Sequence, residues 1–229
     1  MSDDTNNSPD PASIARIVVR PIGSALPLGF FAFAVGTVLL GTFEFRWAPP
    51  SEGPLFAAAL LGCVAPLELL ACVLGFLSRD TGSATAMGVL GSGWIVVAVS
   101  FLLAGPSAMT DTLGTFLIME ALAVLCIGIV AVSGKPFLSA LLFLSATRFF
   151  LAALVQLDVA TVLRIPAAVL GLLTGVFAVY GGLALLFEDM KQRAVLPTFR
   201  RGAAKRSLEG SLEEQIQRLQ HEAGVRRRL

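Results

Sequence analysis

Six runs of apolar residues, each close to the length needed to cross a bilayer, constrain this chain more than any other feature. About 30 Å of hydrocarbon requires about 20 residues of helix, at about 1.5 Å per residue. The runs lie near 24–43, 54–77, 83–104, 112–133, 136–157 and 166–187. Short connections rich in turn residues separate them: Ala48-Pro49-Pro50, Ser78-Arg79-Asp80, Gly105-Pro106-Ser107, Ser133-Gly134-Lys135-Pro136 and Leu163 to Pro166. Buried helices of a large soluble core would alternate between apolar and polar faces, and these runs show almost no such alternation. The expected fold class is therefore all-α, an integral membrane protein with six transmembrane helices.

Composition agrees. The chain is 55% hydrophobic and 14% charged, with a mean hydropathy of +0.80, whereas soluble domains carry about a quarter charged residues. The formal net charge of +1 hides an uneven distribution. From Lys191 onward there are ten basic and four acidic residues. A basic tail beside membrane helices marks the cytoplasmic side rather than a nucleic-acid surface. Arg16, Arg20, Arg79, Lys135 and the tail fall on one side of the expected topology, and only Arg46 and Arg164 on the other. Both termini are expected in the cytoplasm, in a multi-pass protein of the plasma (cytoplasmic, inner) membrane.

Three regions follow. Residues 1–22 form an N-terminal segment, disordered at first and then interfacial around Arg16 and Arg20. Residues 23–190 form the six-helix domain. Residues 191–229 form a basic cytoplasmic tail with one short helix, in which Ser211 and Glu214 have capping-box spacing. His221, the only histidine, lies in that tail and reads as an exposed polar residue. Cys63, Cys72 and Cys126 lack CxxC spacing and sit inside apolar runs, so they read as small buried hydrophobes rather than as disulfide or zinc ligands.

Within the runs, Glu68, Glu120 and Arg148 stand out. A charge at mid-membrane costs on the order of 3 kcal/mol, so each needs a partner or a water-filled cavity. Glu120 precedes Lys135 by 15 residues and Arg148 follows it by 13. In a hairpin turning at that lysine the two differ in depth by about 3 Å. They can form a buried ion pair that orients two helices. Alternatively, Arg148 is an anion site with Glu68 or Glu120 carrying a proton; Glu68 is also within reach of Arg79. The third run is dense in small residues, which allow close helix packing. Thr85 and Ser92, seven apart, share a face of it and could line a polar path. No phosphate-cradling pattern, metal-ligand cluster or nucleophile–His–acid set occurs. No enzyme activity, catalytic residue, metal or cofactor is expected.

The chain resembles a divergent member of the acetate uptake transporter family (YaaH type), which includes succinate–acetate/proton symporters. The stretch Ser24 to Phe30 (SALPLGF) resembles the family's N-P-A-P-L-G-L opening, with Phe33 where the family has a pore phenylalanine. Thr81 to Ile95 (TGSATAMGVLGSGWI) resembles its third-helix motif, and Gly171 to Asp189 its last helix. Leu90 stands where the motif has its pore tyrosine, Gly93 where it has a phenylalanine, and Ser24 and Ala25 where the opening has Asn-Pro. The resemblance implies a homo-hexamer in the lipid bilayer, each protomer with its own pore for a small organic anion such as acetate, moved by proton symport or as a channel. Pro27, Gly29 and Phe33 would shape the pore, Thr85, Leu90 and Ser92 would line it, and Arg148 would supply charge. Two other readings stand beside this one: a non-transporting scaffold or sensor on the same fold, and permeation of ammonium or another small solute.

Overall fold

The computed structural model describes residues 23–106, 108–191 and 193–202. The expected N-terminal interfacial segment, the tail helix and His221 lie outside them. The described residues are all helix and connection. α1 is Leu26–Glu44, α2 Gly53–Ala59, α3 Ala65–Leu77, α4 Thr81–Leu103, α5 Asp111–Ala131, α6 Pro136–Gln156 and α7 Arg164–Lys191. A π-helical turn, Leu60–Val64, joins α2 to α3. With α2, that turn and α3 counted as one, six helices among the described residues are long and apolar enough to cross a membrane. Helices suit this setting because each satisfies its own backbone groups where no water is at hand.

The π turn has a local cause. Pro66 occupies the first turn of α3; it has no N–H to give to the preceding turn, and its ring crowds the carbonyl there. Widening the helix by one residue relieves both problems. The turn also sets the rotation of α3 and so the direction of Glu68.

Helix ends are built with unusual residues. Arg46, Arg79 and Asp158 have φ of 59°, 59° and 55°, the left-handed region that usually goes to glycine. Each follows a helix in a Schellman arrangement: Trp47, Asp80 and Val159 donate their N–H groups to the carbonyls of Thr42, Gly75 and Leu154. The N-terminal ends of α4 and α5 are capped by side chains, Asp80 accepting from Ser83 N–H and Thr110 from Leu113 N–H.

The principal helix–helix contacts form a closed ring: α1 packs on α7, α7 on α6, α6 on α5, α5 on α4, α4 on α3, and α3 back on α1. The chain runs up and down, so residue 23 and the segment after Lys191 emerge at the same end of the ring, here called the tail end. The opposite end is the mouth. At the tail end Lys135 Nζ bridges from the start of α6 to Asp80 and, at 2.8 Å, to Ser83 Oγ. Residues 193–202 fold back across that end. Arg200 pairs with Glu188 at 2.5 Å, Tyr180 O–H donates to the Pro197 carbonyl at 3.1 Å, and Arg201 N–H donates to the Gly134 carbonyl at 3.0 Å.

Many large apolar side chains lie exposed on the outside of the ring, among them Leu55, Val73, Met119, Val130, Val176 and Met190. In lipid this surface is in its preferred solvent. It also corrects one expectation. Cys63 and Cys126 are exposed on that outer surface, and only Cys72 is partly buried. An apolar run does not imply an inward position when the outside is apolar too.

Candidate functional site

The polar interior of the ring gathers around Arg148 on α6. Its side chain is 1% exposed, and Nη2 donates to Glu44 Oε1 at the end of α1, 3.1 Å away. Gly171 on α7 makes room for it, since a Cβ there would lie 2.6 Å from Arg148 Nε. Neither Arg148 Nε nor Glu44 Oε2 has a hydrogen-bond partner among the described residues.

A cavity of about 50 Å³ opens beside this pair, lined by Glu44, Glu120 and Arg148 and by apolar residues that include Leu90, Trp94 and Leu117. That space is several times the ~10–15 Å³ one water needs. It shares Leu40, Glu44, Phe101, Ala152 and Gln156 with a wider cavity of about 490 Å³, which opens at the mouth among Arg46, Pro49, Met109 and Arg164. Together they make a funnel that narrows from two arginines at the rim to a third at its base. Gln156 holds one edge by accepting the Thr110 N–H at 3.2 Å. The rings of Phe43, Phe56 and Phe101 pack with centroids 4.5–5.4 Å apart, fixing α1, α2 and α4 at this end.

The funnel stops at Leu90 and Trp94. Trp94 is clamped on three sides. Gly36 lets its ring lie flush on α1, where a Cβ would come within 2.7 Å; Phe33 packs on it at 5.9 Å; and Glu68 Oε1 accepts its Nε1–H at 2.8 Å. Glu68 is 0% exposed, and its Oε2 has no hydrogen-bond partner among the described residues. It lies behind Trp94, outside the lining of the cavity.

Glu120 reaches the cavity from α5 and is 5% exposed. Its carboxylate occupies the space over the α4 backbone that a side chain at residue 93 would fill: a Cβ on Gly93 would collide with Oε1. The structure thus brings Glu120, Arg148 and Leu90 around one cavity, with Phe33 behind its floor. The hydrogen-bonded partner of Arg148 is Glu44, not Glu120, and that of Glu68 is Trp94. Glu44 was not singled out in the sequence because it sits at the end of its run and reads as a headgroup-level residue.

The remaining expected site residues lie elsewhere. Pro27 and Gly29 are buried in the first turn of α1, and a Cβ on Gly29 would run into Met87 of α4 and lie 3.2 Å from Ala71 of α3. That glycine sits at a close helix crossing. Thr85 is half-buried and Ser92 exposed on the outside of α4, their hydroxyls donating to the carbonyls of Thr81 and Val89 in the same helix. None of these four lines either cavity.

At the tail end Asp80 and Lys135 lie just outside the spans. Burial disfavours the Asp80 charge, but the Lys135 ammonium and hydrogen bonds from Lys135 and Ser83 outweigh it, so the carboxyl titrates below its ordinary 3.8.

Comparison with known proteins agrees with this architecture. The chain is 26% identical over 183 residues to an uncharacterized protein of Methanothermobacter thermautotrophicus, covering 75% of this chain and 89% of that one. Its fold matches the solved structure of the bacterial acetate channel SatP with a TM-score of 0.69 at 20% sequence identity, over 77% of this chain and 99% of that one. Residues 6–200 match the sequence model of the GPR1/FUN34/yaaH family. A match over that much of the sequence, carried on a six-helix membrane fold, places the chain in the GPR1/FUN34/yaaH family.

Proposed function

We propose that the protein is a transporter or channel that moves a small monocarboxylate such as acetate across the cytoplasmic membrane, along a path inside each protomer of a homo-hexamer whose termini lie in the cytoplasm. The observation that carries the reading is Arg148, a fully buried cation at the base of a funnel rimmed by Arg46 and Arg164. A buried ion pair is a poor stabiliser, because the desolvation of both charges offsets their attraction. Arg148 and Glu44 therefore read better as an exchangeable pair, in which an arriving carboxylate takes the place of Glu44 on the guanidinium. Arginine suits that exchange because its planar fork matches carboxylate geometry. Glu120, on the cavity wall, is the group to take up a proton as the anion enters. Glu68 holds Trp94, and with it the floor.

Uptake of labelled acetate into proteoliposomes, with and without a pH gradient, tests the reading. Flux above empty vesicles is expected, and its absence overturns the proposal. Glu44→Gln removes the competing carboxylate while leaving Arg148, and is expected to lower KM about tenfold, since a charge-assisted hydrogen bond is worth about 1.5–3 kcal/mol. An unchanged or higher KM would refute the exchange.

The narrow floor, where Phe33, Leu90 and Trp94 are each buried, favours a second reading, a scaffold or sensor that keeps the fold without a continuous pore. Phe33→Ala separates the two: a transporter changes rate or selectivity, while a scaffold changes only stability. Permeation of ammonium or an uncharged solute would instead leave flux intact in Arg148→Leu.

A further inference from the structure

The inner cavity presents two kinds of polar group, and a plain carboxylic acid uses only one of them. Arg148 offers donors. Opposite in character, Glu120 offers acceptor oxygens; it is 5% exposed, accepts no hydrogen bond from any described residue, and lines the same cavity. Its position is built rather than incidental, because the α4 backbone leaves room for the carboxylate only where residue 93 has no side chain. Leu90, Val97, Leu113, Leu117 and Phe149 are apolar and accept nothing; of the two other polar walls, Glu44 is the carboxylate held on Arg148 that the arriving anion displaces, and Gln156 Oε1 already accepts the Thr110 N–H. Trp94 has only a donor, already used by Glu68.

We infer that the site selects short carboxylates carrying a hydrogen-bond donor on the second carbon, a hydroxyl or an ammonium group, with the carboxylate on Arg148 and the donor on Glu120. This rests on the reading of Arg148 as the carboxylate site and adds the second contact. A ligand with both groups satisfies both walls of the cavity at once. One with a methyl group at that position leaves the buried Glu120 oxygens facing carbon, which disfavours binding by about tenfold to a hundredfold. The inner cavity of about 50 Å³ suits acids of two or three carbons; longer ones would extend into the mouth.

Equilibrium binding to the purified full-length protein in nanodiscs tests this, using acetate and three compounds of nearly equal size: propionate, glycolate and glycine. Glycolate or glycine is expected to bind at least about tenfold more tightly than propionate, and whichever of the two leads identifies the donor as hydroxyl or ammonium. In Glu120→Leu the preference is expected to collapse to a ratio near one. Gly93→Ala displaces the carboxylate without removing it and is expected to do the same, which keeps the test open if Glu120→Leu fails to fold. Equal binding of propionate, glycolate and glycine overturns the inference while leaving the carboxylate reading intact. So does a preference that survives both variants. Binding of none of the four overturns both.

Discussion

Trp94 shows how much of this interior turns on single side chains. Its ring forms the floor of the funnel, its N–H makes the one hydrogen bond that the buried Glu68 accepts among the described residues, and its fit depends on the missing side chain at Gly36. Trp94→Phe keeps an aromatic ring, smaller than the indole, but removes the donor, leaving Glu68 buried without it. The expected loss is about 1–3 kcal/mol, measured by unfolding in detergent; unchanged stability would show that the bond contributes nothing. The ionisable residues of this site were legible in the sequence, because a charge inside an apolar run is costly enough to need a reason. Glu68, Glu120 and Arg148 stood out on that ground. Their partners did not. Glu44 lies at the end of its run, and Gly93 and Gly171 matter only through what a neighbouring helix places against them. No local pattern encodes that.

Among the elements, helix positions were readable and helix rotations were not. The six runs sit within a few residues of the observed spans, because length and hydropathy alone define a crossing. Rotation is normally read from an apolar stripe, and a helix apolar all round has none. Thr85 and Ser92 therefore look equally suited to the inside and the outside, and the structure places them outside. Cys63 and Cys126 follow the same logic. The polar helix ends carry a clearer signal, and the start of α4 supports a pH prediction. Asp80 caps that helix and binds Lys135, and its carboxyl titrates below the ordinary 3.8. A depressed carboxyl stabilises the fold above its unfolded value and ceases to do so as the pH falls through its folded one. The wild type should thus unfold at a higher temperature than Asp80→Asn at pH 6, with the gap closing as the pH drops below about 3.8. A gap that is constant with pH would refute the link to the carboxylate.

For the whole molecule, the proposed hexamer would cover part of an outer surface that otherwise faces lipid. Apolar side chains such as Val73, Met119 and Val130 stand exposed on it, and the small residues Gly82, Thr85 and Ser92 mark one face of α4 where another helix could approach closely. Native mass spectrometry of the solubilised protein is expected to give about six times the 24.0 kDa protomer mass; a protomer that stays single would overturn the assembly. The ring of helices has a consequence of its own. Because α1 and α7 are neighbours, and residues 23 and 191 leave at the same end, the circle closes between the first helix and the last. The first helix packs on the last as extensively as on any helix that adjoins it in sequence. The native break in the polypeptide is one of several places where the same ring could be cut, and a chain opened at residues 157–160, with its old ends joined, would keep the same helices in the same cyclic order.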